Sequence, residues 1–167
     1  MIWQTNFKDL HHYAELRHEI LSISKGLDVI KEKVYAKNWI YATLDDNQIF
    51  DEDAQNFSLA LDDLNVKSVY GCWISSMTQN NGFDFDVVGF DSDRQSIENS
   101  QNLDSCWLDA DDSYMFNDGE LRFLIIRPDR NRWPLPYTLI MAGSKSFIER
   151  ACCADGWVIH NAGSQLF

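Results

Sequence analysis

Residues 66–90, VKSVYGCWISSMTQNNGFDFDVVGF, decide the fold class, because the hydrophobic period changes to two there. Val66 to Ser75 reads as a strand. Asn80-Asn81-Gly82 reads as a hairpin turn, since Asn and Gly tolerate positive φ. Phe83 to Phe90 is the returning strand, with Phe83, Phe85 and Val87 on one face and Asp84 and Asp86 on the other.

Upstream, the period is helical. Tyr13, Leu16, Ile20, Ile23, Leu27, Ile30 and Val34 recur every three or four residues, so residues 7–44 read as helix, either one long helix or two joined at Gly26. Asn6 is positioned to cap its start. A shorter helix carries Ala54, Phe57, Leu61 and Leu64 on one face, with Asp51 or Asp53 as cap.

Downstream, residues 91–112 form a polar connection with a long loop or short helices. A second hairpin follows, with Tyr114-Met115-Phe116, the turn Asn117-Asp118-Gly119, and a central strand from Leu121 to Ile126. Tyr137 to Ala142 reads as a strand, Lys145 to Ala154 as a helix capped by Ser144, and Trp157 to His160 as a last strand. The expected fold is therefore α+β: N-terminal helices packed on an antiparallel sheet built from hairpins, with a short C-terminal helix. One domain spans 1–167, helical over about 7–64 and sheet over about 66–167.

Charge is segregated along the chain. Eighteen of the 26 acids and two of the 14 bases lie between Asp45 and Glu120, and the net charge is −12. This balance opposes nucleic acid and anionic membranes and favours a basic protein partner. No secretory leader or apolar membrane span is legible, so the chain reads as cytoplasmic. Cys72, Cys106, Cys152 and Cys153 fit no zinc spacing and read as small buried hydrophobes.

Catalytic motifs are missing: neither a G-x-S-x-G elbow nor a phosphate-binding glycine loop occurs. Asp109 to Glu120 partly matches a calcium loop, but Tyr114 stands where the sharp turn needs Gly, and strand follows it. Glu15-x-x-His18, with His11 nearby, has metal-ligand spacing but no matching ligands on other helices. Arg127, Arg130 and Arg132 around Trp133 form a basic-aromatic cluster that reads as pairing with the acidic loops. No metal, cofactor or catalytic residue is expected.

The expected partner-binding set is Asp84, Asp86, Asp91, Asp93, Asp104, Asp109, Asp111 and Asp112, with Trp107, Tyr114 and Phe116 as aromatic anchors. In size, acidity and lack of catalytic motifs the chain resembles the immunity proteins of contact-dependent inhibition and polymorphic toxin systems. That resemblance implies a non-catalytic inhibitor whose acidic face blocks a basic toxin, by expectation a nuclease. Two other readings stand beside it. One is a small enzyme or ligand-binding domain using dispersed residues such as His160, Cys72 or Arg132. The other is a structural subunit associating through the Tyr13 to Val34 stripe; the oligomeric state stays open.

Overall fold

The computed structural model describes residues 1–79, 82–102, 106–131 and 138–162, with 109 and 110 described by backbone alone. The Asn80-Asn81 turn, Asp104, Arg132 and Trp133 lie outside the described residues.

The chain opens with strand β1, Ile2–Asn6, and a 3-10 turn, Phe7–Asp9. Helix α1, Tyr13–Ile23, leads into a two-residue-stranded hairpin, β2 (Ser24–Lys25) and β3 (Asp28–Val29). Helix α2, Lys31–Ala36, precedes β4, Trp39–Leu44. Then come α3 (Glu52–Asp63), β5 (Ser68–Trp73), α4 (Ile74–Thr78), β6 (Asp86–Asp91) and α5 (Arg94–Asn99). A 3-10 helix over Trp107–Ala110 precedes β7 (Ser113–Phe116) and β8 (Phe123–Arg127). The last elements are β9 (Leu139–Ser144), α6 (Lys145–Ala151) and β10 (Trp157–His160).

Among the described residues, eight strands form one antiparallel sheet in the order β1-β6-β5-β7-β8-β9-β4-β10, which is open rather than closed into a barrel. The fold is α+β with the sheet as its centre. Successive residues of β8 show why both faces are covered. Phe123 and Ile125 belong to one core with Phe57, Leu61, Ile97 and Ile148 from α3, α5 and α6. Leu124 and Ile126 belong to a second core with Phe7, Leu16, Ile20 and Val34 from the N-terminal turn and helices. A strand buried on both sides needs an unbroken apolar run, and Phe123, Leu124, Ile125 and Ile126 supply one before the buried Arg127.

Several expectations need correction. The N-terminal helices cover only one face, because α3, α5 and α6 cover the other. The division into a helical 7–64 and a sheet 66–167 does not hold, since β1 and β4 come from the first 44 residues and both join the main sheet. Residues 7–44 are not one helix: α1 and α2 are separated by the small hairpin, with Gly26 at φ 60 in its turn, and a strand follows. Asn38, at φ 60, ends the second helical segment in the left-handed conformation, and the β-prone run Trp39-Ile40-Tyr41-Ala42-Thr43-Leu44 then pairs with β9. The strand expected to reach Ser75 ends at Trp73, where α4 begins. The Tyr13 to Val34 stripe packs inward: Leu16, Ile20, Ile23 and Val34 are at most 1% exposed, so these four offer no docking face.

The returning strand expected from Phe83 begins only at Asp86, and α4 stands between it and β5, so these two paired strands are not joined by a tight hairpin. The capping expectations for Asn6 and Ser144 are met. Asn6 caps, although it caps a 3-10 turn, its Oδ1 accepting from the Lys8 N–H at 3.1 Å. Asp51 holds the position before α3 but makes no side-chain capping bond. Ser144 caps α6, its hydroxyl accepting from the Phe147 N–H at 3.3 Å. In the second hairpin, buried Asn117 organises the turn: its amide donates to the Asp118 and Glu120 carbonyls while its oxygen accepts from the Arg122 N–H. Among the described residues no helix is long and apolar enough to cross a membrane.

Candidate functional site

Strand directions sort the acids. Asp86, Trp73, Ser113 and Arg127 lie in one transverse row: Trp73 pairs with Ser113 and Ser113 with Arg127, while the β5–β6 register, continued two residues, sets Trp73 opposite Asp86. Asp84, Asp111, Asp112 and Asp129 lie just past that row, and so do Asp45 and Asp46 beyond the end of β4. Loops from separate parts of the chain thus bring carboxylates to one end of the sheet.

This end holds only part of the expected set. Asp91 sits at the far end of β6, about 17 Å from Asp86 at ~3.3 Å per residue, and accepts from the N-terminal ammonium at 2.9 Å. Asp93 caps α5: its carboxylate accepts from the Ser96 N–H at 2.9 Å and the Ser96 hydroxyl at 2.8 Å. Those bonds hold its carboxyl below the usual Asp range, so Asp93 serves local structure. Tyr114 and Phe116 are 1% and 0% exposed and belong to the second core, and the Tyr114 hydroxyl lies 3.0 Å from that of Ser24. They are not surface anchors, because β7 is covered on both sides. Asp104 falls outside the described residues, and the backbone places Asp109 in the 3-10 helix.

At the acidic end, Asp84 is exposed and committed. It accepts from the Asn6 amide at 2.7 Å and faces Lys8 at 3.4 Å, which together lower its carboxyl below the ordinary value. Asp111 accepts from the Asp112 N–H, and Asp112 accepts from the Asp129 N–H at 2.6 Å. Asp86 differs: it makes no side-chain hydrogen bond or ion pair with any described residue.

Asp86 forms one wall of a cleft of about 400 Å³ with Gln4, Trp73, Ser76 and Trp107. The two indole rings meet edge to face, with centroids 5.0 Å apart. The Trp73 indole N–H is buried without a hydrogen-bond partner. Gly71 explains how Trp107 reaches this place. With no side chain on that β5 position, Leu108 packs directly over it, and a methyl group there would collide with Leu108 Cδ2. Trp107 and Asp86 belong to the set expected from the sequence, whereas Trp73, Gln4 and Ser76 do not. The Trp73-Asp86 proximity depends on strand register, which no local pattern in the sequence displays.

Among the described residues the alternative sites do not assemble. Cys72 is wholly buried on β5, with its thiol pKa pushed up by desolvation. His160 is on edge strand β10, five strands away in the sheet order, or about 24 Å at ~4.8 Å per strand. Arg132 lies outside the described residues. Ser113–Phe116 of the partial calcium motif is strand. His11 bonds to Asp118 rather than to Glu15 or His18. Among the described residues no group of three or more His, Cys, Asp and Glu is arranged to hold a metal. Arg127, 1% exposed, donates its Nε–H to the Asn47 carbonyl at 2.8 Å, so it is an internal strut and not part of a basic surface. No protein-family model matches the chain, and no curated protein or solved structure matches it significantly.

Proposed function

We propose that this protein is a non-catalytic binding protein of the immunity type, which neutralises a basic toxin, a nuclease by preference, through the acidic end of its sheet. One observation supports the reading most strongly: Asp84, Asp86, Asp111 and Asp112 reach the same end of the sheet from different loops, with exposed or half-buried side chains. Like charges gathered in this way repel one another and cost stability, so their gathering has a functional rationale if a cationic surface covers them. An acidic rim of this kind would occupy the groove in which a nuclease holds phosphates. It would also speed encounter, with a rate that falls as salt screens the field.

The test is affinity capture from the native host lysate at low and moderate salt, alongside the variant Asp84→Lys/Asp86→Lys/Asp111→Lys. A single basic protein retained by the native chain, weakened by salt, lost in the variant and toxic unless co-produced with the native chain would support the reading. A captured partner that binds both forms equally, at a salt-independent rate, would end it.

A further inference from the structure

We propose that the Trp73–Trp107 cleft receives an arginine side chain of the protein partner, its guanidinium against an indole face and its charge on Asp86. The inference rests on the partner-binding reading above and adds the chemistry of its central contact.

Three features of the cleft converge on this occupant. First, Asp86 has no partner among the described residues, while its neighbours Asp84, Asp111 and Asp112 already accept hydrogen bonds. Second, both indoles line the cleft and are only partly buried, and a cation within about 6 Å of an indole centroid is attracted to it. Third, Gln4 and Ser76 line the same space without side-chain hydrogen bonds to other described residues. Arginine fits better than lysine because a planar guanidinium can stack on a ring and pair with a carboxylate at once, while an ammonium is a strongly hydrated point charge. The volume of about 400 Å³ admits such a side chain with part of its backbone.

The probe is Nα-acetyl-arginine amide, titrated into the full-length protein while the indole N–H resonances are followed by NMR and assigned with Trp73→Phe and Trp107→Phe. The neutral isostere Nα-acetyl-citrulline amide is the control. The expected result is saturable shifts of the Trp73 and Trp107 signals with Kd on the order of 1 mM, and binding of the citrulline compound weaker by about tenfold or more. Asp86→Asn, at an exposed position and so expected to fold, should weaken arginine binding by about tenfold. Equal shifts from citrulline, no saturation, or unchanged affinity in Asp86→Asn would overturn the assignment. The two ideas fail separately. If the cleft ignores the arginine amide while a basic partner is still captured in a salt-sensitive way, the cleft assignment falls alone. If arginine binds but no basic protein is captured, the immunity reading falls and the guanidinium site stands.

Discussion

Trp73 and Trp107 meet edge to face, their ring centroids 5.0 Å apart and their planes 78° apart. Trp73 ends a central strand, and Trp107 begins a one-turn 3-10 helix at the end of a polar connection. Their meeting depends on Leu108 seated over Gly71. The contact joins the acidic end of the sheet to its hydrophobic core, because Leu108 is fully buried while Trp107 is half-buried.

Gly71→Ala should therefore act through Leu108. The added methyl would meet Leu108 Cδ2 and the Tyr114 carbonyl oxygen, the latter at 3.3 Å. We expect a loss of about 1–3 kcal/mol in urea denaturation and a shifted tryptophan emission as Trp107 moves. Leu108→Ala alone should cost about 2–4 kcal/mol, and the double variant less than the sum, because the smaller side chain makes room for the methyl. Strict additivity would show that Leu108 does not seat the pair.

Asp93 and Asp86 should separate stability from binding. Asp93→Ala removes the cap of α5 and should cost about 1 kcal/mol without changing partner association. Its carboxyl is held below the usual range by the Ser96 N–H, so its contribution is present above the unfolded value near 3.8 and lost as pH falls through the folded value. Acid titration of stability should therefore flatten in Asp93→Ala. Asp86→Ala should change stability by less than about 0.5 kcal/mol and slow association instead. Parallel denaturation and stopped-flow association experiments check both halves.

His160 makes β10 sensitive to acid. Its ring stacks on Tyr41 at 4.7 Å and its Nε2 lies 3.0 Å from the Thr43 hydroxyl. Burial, helped by Lys31, lowers its pKa below the ordinary 6.5. A depressed pKa favours the neutral ring in the folded state. The stabilisation is thus complete above about 6.5 and lost as pH falls through the folded value. Amide exchange across Trp157–His160 should accelerate on acidification through this range, and His160→Gln should abolish the change. Exchange that is as pH-dependent in His160→Gln, after correction for intrinsic rates, would remove His160 as the cause.

Arg127→Lys should destabilise despite keeping the charge. The guanidinium reaches the Asn47 carbonyl at 2.8 Å and the Ser113 hydroxyl at 3.5 Å, tying the loop after β4 to the β7–β8 pair. A lysine presents one ammonium group in place of a fork of donors, and it buries a more strongly hydrated charge. The expected loss is about 2–4 kcal/mol by chemical denaturation. Native-like stability in Arg127→Lys would show that the fork geometry is not needed.

Local sequence signals determined much of the framework. The hairpin from Tyr114 to Arg127 was legible because Asn117-Asp118-Gly119 supplies turn chemistry between apolar runs, and Gly119 takes φ 84. β9, α6 with its Ser144 cap, and β10 were legible for the same kind of reason: their periods and end signals lie within a few residues. The concentration of carboxylates in the middle of the chain was plain from composition alone. What escaped was non-local. Ile2–Asn6 is too short to show a period and becomes a strand by pairing with β6, while Trp39–Leu44 continues a helical spacing and becomes a strand by pairing with β9 and β10. The acids could be counted in the sequence but not placed. Only the antiparallel registers send Asp86 to one end of β6 and Asp91 to the other, bury Tyr114 and Phe116, and set Trp73 beside Asp86. Turn and cap chemistry is written in neighbouring residues, whereas the position of a side chain on a sheet depends on which distant strand pairs with it and in what register.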